Sequence, residues 1–189
     1  MDQDAVLDLF RTSGALLEGH FTLSSGRHSD RYLQSALVLQ YPEFADALGR
    51  ALAERTRHLQ PTVVLSPALG GIVIGQEVGR ALGVRAIFAE RQDGTLVLRR
   101  GFTLDAADRV LVVEDVITTG GSTRETAAVA EAHGAVVTGA AAIVDRGSDP
   151  ARLALPMQTL VRLDVPTYQP DACPLCAQGL AVVKPGSRA

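Results

Sequence analysis

The run Val110-Leu-Val-Val-Glu-Asp-Val-Ile-Thr-Thr-Gly-Gly-Ser-Thr123 constrains this chain more than any other stretch. Arg109 to Val113 is apolar, β-branched and of strand length, which predicts a buried parallel strand. Glu114 and Asp115 follow at its carboxyl end, where open α/β sheets bind ligands. Carboxylates there accept hydrogen bonds from a sugar diol or hold a divalent metal through hard oxygen donors. Thr118, Thr119, Gly120, Gly121, Ser122 and Thr123 come next; glycines let backbone approach an anion and hydroxyls add donors. Ser122 to His133 is predicted to be a helix, stopped by Gly134, with its free N–H groups and dipole aimed at that loop. The order suits a ribose held by its hydroxyls and a phosphate held by backbone amides. An ordinary strand-turn-helix is the plain alternative, but buried strands rarely end in paired acids followed by such a turn.

Around that run, strands and helices alternate. Helices are expected over Asp4–Thr12, Pro42–His58 and Ile72–Leu82, the second opening on a proline and the third closed by Gly83. Strands are expected over Thr62–Leu65, Val84–Ala89 and Ala135–Val144, with a last one near Thr159–Leu163. The alternation argues an α/β fold, a parallel sheet with helices on both faces. The ends break the pattern and suggest a small cap built from residues 14–35 and the tail.

The chain has 189 residues, enough for one domain with its own core, and 47% of them are apolar. A formal charge of −3 asks for neither a nucleic-acid nor a membrane partner. No apolar stretch reaches membrane-spanning length, and the acidic start Met1-Asp-Gln-Asp4 is unlike a signal peptide, so a soluble cytoplasmic protein is expected. Lys184 is the only lysine, so any cation the chemistry needs elsewhere must be arginine.

Three further stations carry chemistry. Ser66-Pro-Ala-Leu-Gly-Gly-Ile72 is a second strand-loop-helix, by itself no more than a common turn. Glu90 to Phe102 carries Arg91, Arg99 and Arg100 and has the features of a mobile flap that closes over an anion; a solvated hairpin turning at Asp93-Gly94 is the alternative. Arg146, in Ile143-Val-Asp-Arg146, follows another strand's carboxyl end, where a guanidinium grips a carboxylate; the alternative is a surface salt bridge. Cys173-Pro-Leu-Cys176 is a lone Cys-x-x-Cys. Structural zinc takes four ligands, and a dimer or His20, His28, His58 or His133 would have to complete them. The histidines show no metal spacing, and a reduced, inert pair is the preferred reading.

The Val110–Thr123 run closely resembles the 5-phosphoribosyl 1-diphosphate (PRPP) signature of the type I phosphoribosyltransferases. Phe21-Thr-Leu-Ser-Ser-Gly-Arg27 and Asp145-Arg146 extend the resemblance, over nearly the whole chain, to the orotate phosphoribosyltransferase family. That resemblance implies the type I phosphoribosyltransferase fold over residues 1–189: a core of about 40–165 and a hood from about 14–35 and 166–189. It implies PRPP binding by Glu114, Asp115, Val116, Ile117, Thr118, Thr119, Gly120, Gly121 and Ser122, and diphosphate binding by Leu69, Gly70 and Gly71. It implies orotate binding by Thr118, Arg146, Tyr32 and Ser24. Catalysis falls to Glu114 and Asp115 with Arg91, Arg99 and Arg100. Mg²⁺ is expected through PRPP and Asp115, orotidine 5′-phosphate and diphosphate as products in pyrimidine (UMP) biosynthesis, and a homodimer whose flap reaches the neighbouring site. The chain departs from the family pattern at Ser24, where a lysine is common, at Leu69-Gly70, where Tyr-Lys is common, and in a flap without lysine or histidine. A purine-base phosphoribosyltransferase and a non-enzymatic PRPP-sensing regulator are the competing readings. Against them stand Arg146, which has no carboxylate to grip on a purine, and the lack of a helix-turn-helix segment or basic stripe.

Overall fold

The computed structural model describes residues 1–23, 25–147 and 153–185. In chain order the elements are α1 (Gln3–Thr12), β1 (Leu16–Thr22), β2 (His28–Leu33), α2 (Ser35–Leu39), α3 (Pro42–Thr56), β3 (Val63–Pro67), α4 (Gly70–Leu82), β4 (Arg85–Gln92), β5 (Thr95–Leu98), β6 (Arg109–Ile117), α5 (Gly121–Ala132), β7 (Val136–Asp145), β8 (Met157–Arg162) and α6 (Pro174–Ala177). The main sheet has the order β5-β4-β3-β6-β7-β8. All its pairings are parallel except β4–β5.

Strand alternation divides the core. Val64, Leu111, Val113, Ala141 and Ile143 point to one face, where Val6, Phe10, Leu48, Leu52, Ile74 and Val78 of α1, α3 and α4 cover them. Val63, Leu65, Val110, Val112, Ala140 and Ala142 point to the other, covered by Ala127 and Ala130 of α5 and by Leu96 and Leu104. Burial on both faces explains why these strands read as unbroken apolar runs. No helix of the described residues is long and apolar enough to cross a membrane.

Several boundaries differ from those the sequence predicts. The signature strand does not stop at Val113 but runs through Glu114 and Asp115 to Ile117. β3 reaches Pro67 and α4 starts at Gly70, so the expected six-residue loop shrinks to Ala68 and Leu69, joined by a cis peptide bond. α3 ends at Thr56 and a 3₁₀ turn, Arg57–Leu59, follows. α2 was not expected, because five residues are too few to show a helical period. The Glu90–Phe102 segment is largely regular: β4 and β5 form a hairpin that turns at Asp93 and Gly94, with φ of 50° and 84°, as the type I′ turn requires. Leu96 at 3% exposure buries one face of it.

The ends of the chain meet. β1 and β2 form a separate antiparallel ribbon, irregular between Glu18 and Phe21. The tail joins it through bridges at Phe21–Val183 and His28–Tyr168. Arg27 donates to the Thr167 carbonyl at 2.9 Å and Ser29 to that of Pro166 at 2.9 Å.

Candidate active site

The site lies at the carboxyl ends of β3, β6 and β7. Alternation along β6 sends Glu114 and Asp115 to different partners. Glu114 accepts from the Ser122 hydroxyl at 2.8 and 3.0 Å and from that of Thr123 at 2.8 Å, which ties the strand to the first turn of α5. Asp115 faces the opposite way, into a cavity of about 370 Å³ lined with Gln34, Gln40, Leu69, Gly70 and Val73. Burial raises the pKa of both acids; for Glu114 the two hydroxyls pull the other way.

Gly70 brings the two loops together. A Cβ there would sit 2.8 Å from Asp115 Oδ1, so only glycine lets the start of α4 approach the carboxylate this closely. The amides of Gly70 and Gly71 open α4 and lack intrahelical acceptors. Leu69, 83% exposed, is the helix cap and leans into solvent. Across the cleft, Gly120 caps α5 with φ 73°, which leaves the first amides of that helix beside the exposed Thr118 and Thr119, an arrangement chemically suited to an anion. Val116 and Ile117 belong to the sheet: Ile117 is 1% exposed and its carbonyl is taken by the Arg146 amide at 2.8 Å. Any ligand contact from Ile117 is confined to its backbone.

That same hydrogen bond places Arg146 beside the signature loop. Arg146 is half-buried, and its Nε is buried with no hydrogen-bond partner among the described residues. Burial lowers its pKa, and Tyr32 of β2 is its electrostatic neighbour. Tyr32 in turn packs against Phe21, the rings tilted by 45° with centroids 6.0 Å apart. A buried donor left unpaired is costly unless an acceptor completes it. Arg146 forms no salt bridge among the described residues. Ser24 lies outside the described residues.

The flap arginines occupy a different neighbourhood. Arg91 pairs with Glu125 of α5 at 2.8 Å and Arg100 forks onto Glu90 with two bonds of 2.7 Å. Arg99 is exposed, and its side chain forms no hydrogen bond or ion pair among the described residues. A larger cavity of about 520 Å³ lies under this hairpin against α5, lined by Leu96, Val129 and Ala132, away from the acids and Arg146. Gln34 and Gln40, which line the Asp115 cavity, were missed in the sequence; α2 carries them there, and no motif marks so short a helix.

The comparisons with known proteins agree with this geometry. A family model described as phosphoribosyl transferase domain matches residues 35–157. The orotate phosphoribosyltransferase of Chlorobaculum parvum is 52% identical over 188 residues, covering 100% of this chain and 97% of its own. That of Pelotomaculum thermopropionicum is 50% identical over 188 residues, covering 100% and 99%. The solved structure of Mycobacterium tuberculosis H37Rv orotate phosphoribosyltransferase in complex with PRPP shares 25% identity at a TM-score of 0.70, covering 85% of this chain and 96% of that one. Identity near one half along the full length, on a matching fold, leaves a single family, and this chain belongs to it: the orotate phosphoribosyltransferases.

Proposed function

We propose that the protein transfers the 5-phosphoribosyl group of PRPP to orotate, giving orotidine 5′-phosphate and diphosphate in pyrimidine nucleotide synthesis. The observation that carries the choice of base is Arg146: a half-buried guanidinium, its Nε buried and unpartnered among the described residues, beside the signature loop and Tyr32. Orotate brings the carboxylate that would complete it, and a purine does not.

The remaining roles follow from position. The 5-phosphate sits on the amides from Gly120 to Ser122 with the hydroxyls of Thr118 and Thr119, at the positive end of α5. Asp115 accepts from the ribose hydroxyls, and Glu114 braces α5 through Ser122 and Thr123 while keeping lone pairs for the sugar. The diphosphate lies along the amides of Leu69, Gly70 and Gly71. As the bond from C1 to the diphosphate breaks, positive charge grows on the ribose, and the buried carboxylates stabilise it. Orotate attacks through its ring nitrogen, oriented by Arg146, Thr118 and Tyr32, so no protein nucleophile is needed. The flap arginines Arg91, Arg99 and Arg100 steady the leaving group when the hairpin closes.

The donor set also suits Mg²⁺. Asp115 presents hard carboxylate oxygen to the cavity, and a substrate polyphosphate would supply most of the remaining ligands. When bound, the ion would offset charge on the departing diphosphate. Family resemblance supports a cytoplasmic homodimer.

The test is diphosphate release from PRPP and Mg²⁺ with orotate, uracil, adenine, hypoxanthine and xanthine in parallel. Turnover with orotate alone, lost in Arg146→Ala, is expected. Turnover with a purine overturns the base assignment. PRPP binding without turnover on any base makes the protein a sensor.

A further inference from the structure

The strongest unassigned cluster lies in the hood, away from the acids of β6. His20 from β1, His28 from β2 and Cys173 and Cys176 from the tail converge there, all four donor atoms lying within 4.8 Å of one another. His20, His28 and Cys173 are buried. The cysteines are not bonded to each other. We propose that His20, His28, Cys173 and Cys176 form a tetrahedral Cys₂His₂ site for zinc, which fastens the carboxyl-terminal tail to the β1–β2 ribbon.

The distances fit a shared ion. A zinc tetrahedron with bonds of about 2.05 Å to nitrogen and about 2.3 Å to sulfur has N···S edges of about 3.6 Å and an N···N edge of about 3.3 Å. Three of the four N···S separations are 3.6, 3.8 and 3.4 Å. The two ring nitrogens, His20 Nε2 and His28 Nδ1, are 2.9 Å apart and would move slightly outward on binding.

The protonation pattern fits too. His20 Nδ1 lies 2.8 Å from the Leu180 carbonyl, which only accepts, so Nδ1 carries the hydrogen and Nε2 a lone pair. A backbone carbonyl on the far ring nitrogen is the usual partner of a metal-bound histidine. That one lone pair faces His28 Nδ1 and both sulfurs, more donors than it can serve. A cation at the centre engages all four groups at once.

The tail also needs a staple. Beyond Val165, Cys173 is its one buried apolar residue among those described, while Leu180, Val182 and Val183 are 48%, 48% and 54% exposed. A segment with so little core of its own is held by cross-links. The sequence hides the site because a hairpin, not a helix, supplies the histidines. They lie eight residues apart instead of at the His-x₃₋₅-His spacing of a helical pair.

Tag-free protein should carry about one zinc per chain by plasma mass spectrometry. Metal-free protein titrated with Co²⁺ should develop the strong visible bands of a tetrahedral ion and thiolate-to-cobalt charge transfer in the near ultraviolet. Cys176→Ser, at an exposed position, should lose both. Cobalt titration of the unmutated chain decides the matter even if that variant misfolds. Folded protein without zinc whose cobalt spectrum is weak and octahedral overturns the site. So does one zinc per two chains with an all-sulfur spectrum, which would mean cysteine pairs bridging a dimer.

Discussion

Arg146 and Glu114 make opposite kinds of statement about this protein. Arg146 is half-buried with an Nε that is buried and unpartnered among the described residues, so it burdens the empty protein and rewards the loaded one. Arg146→Ala should therefore raise KM for orotate by roughly 10- to 150-fold, the equivalent of about 1.5–3 kcal/mol for a charged hydrogen bond. The melting temperature of the unliganded protein should not fall. Steady-state kinetics and calorimetry on the same preparation check both halves, and a fall in melting temperature would make Arg146 structural. Glu114 has a pKa raised by burial above its ordinary 4.5. Between that value and the raised one the folded state holds more protons than the unfolded, so stability declines as pH rises through the window. Glu114→Gln keeps a side chain of the same length without the titration. Its urea midpoint should change less with pH than the parent's over that window, and parallel curves would contradict the assignment.

Among the elements, the start of α4 and the β4–β5 hairpin are the telling ones. Gly70→Ala puts a methyl group 2.8 Å from Asp115 Oδ1, where the carboxylate must give way. Overpacking of this kind costs about 1–3 kcal/mol, so PRPP affinity should drop about tenfold or more, measured by calorimetric titration. The hairpin makes a different demand. Arg91 and Arg100 are engaged with Glu125 and Glu90, whereas Arg99 forms no ion pair among the described residues. Arg99→Ala should lower kcat with the melting temperature unchanged. If replacing Arg91, Arg99 and Arg100 together leaves turnover intact, the hairpin has no part in the reaction. Its regular pairing is not legible in the sequence, because Leu96 and Leu98 on alternate strand positions are too few to register as a period.

For the whole molecule, a subunit of 19.9 kDa should sediment at about twice that mass if the homodimer forms. A monomer at working concentration would rule out a flap shared between subunits. The sequence by itself determined the α/β architecture, the glycine-rich loop after β6 and the two glycines of α4. These are local: buried parallel strands read as apolar runs, and helix starts and glycine turns are written in adjacent residues. It also marked Arg146 through the motif around it. Only the tertiary structure decided that Glu114 braces α5 while Asp115 faces the cavity, because strand alternation acts once β6 is known to continue past both. Only the tertiary structure brought α2 to the cavity, and His20 and His28 to Cys173 and Cys176 across more than 140 residues of chain. Contacts of that span leave no mark on neighbouring positions, since they are set by how the sheet and the ribbon fold the ends of the chain together.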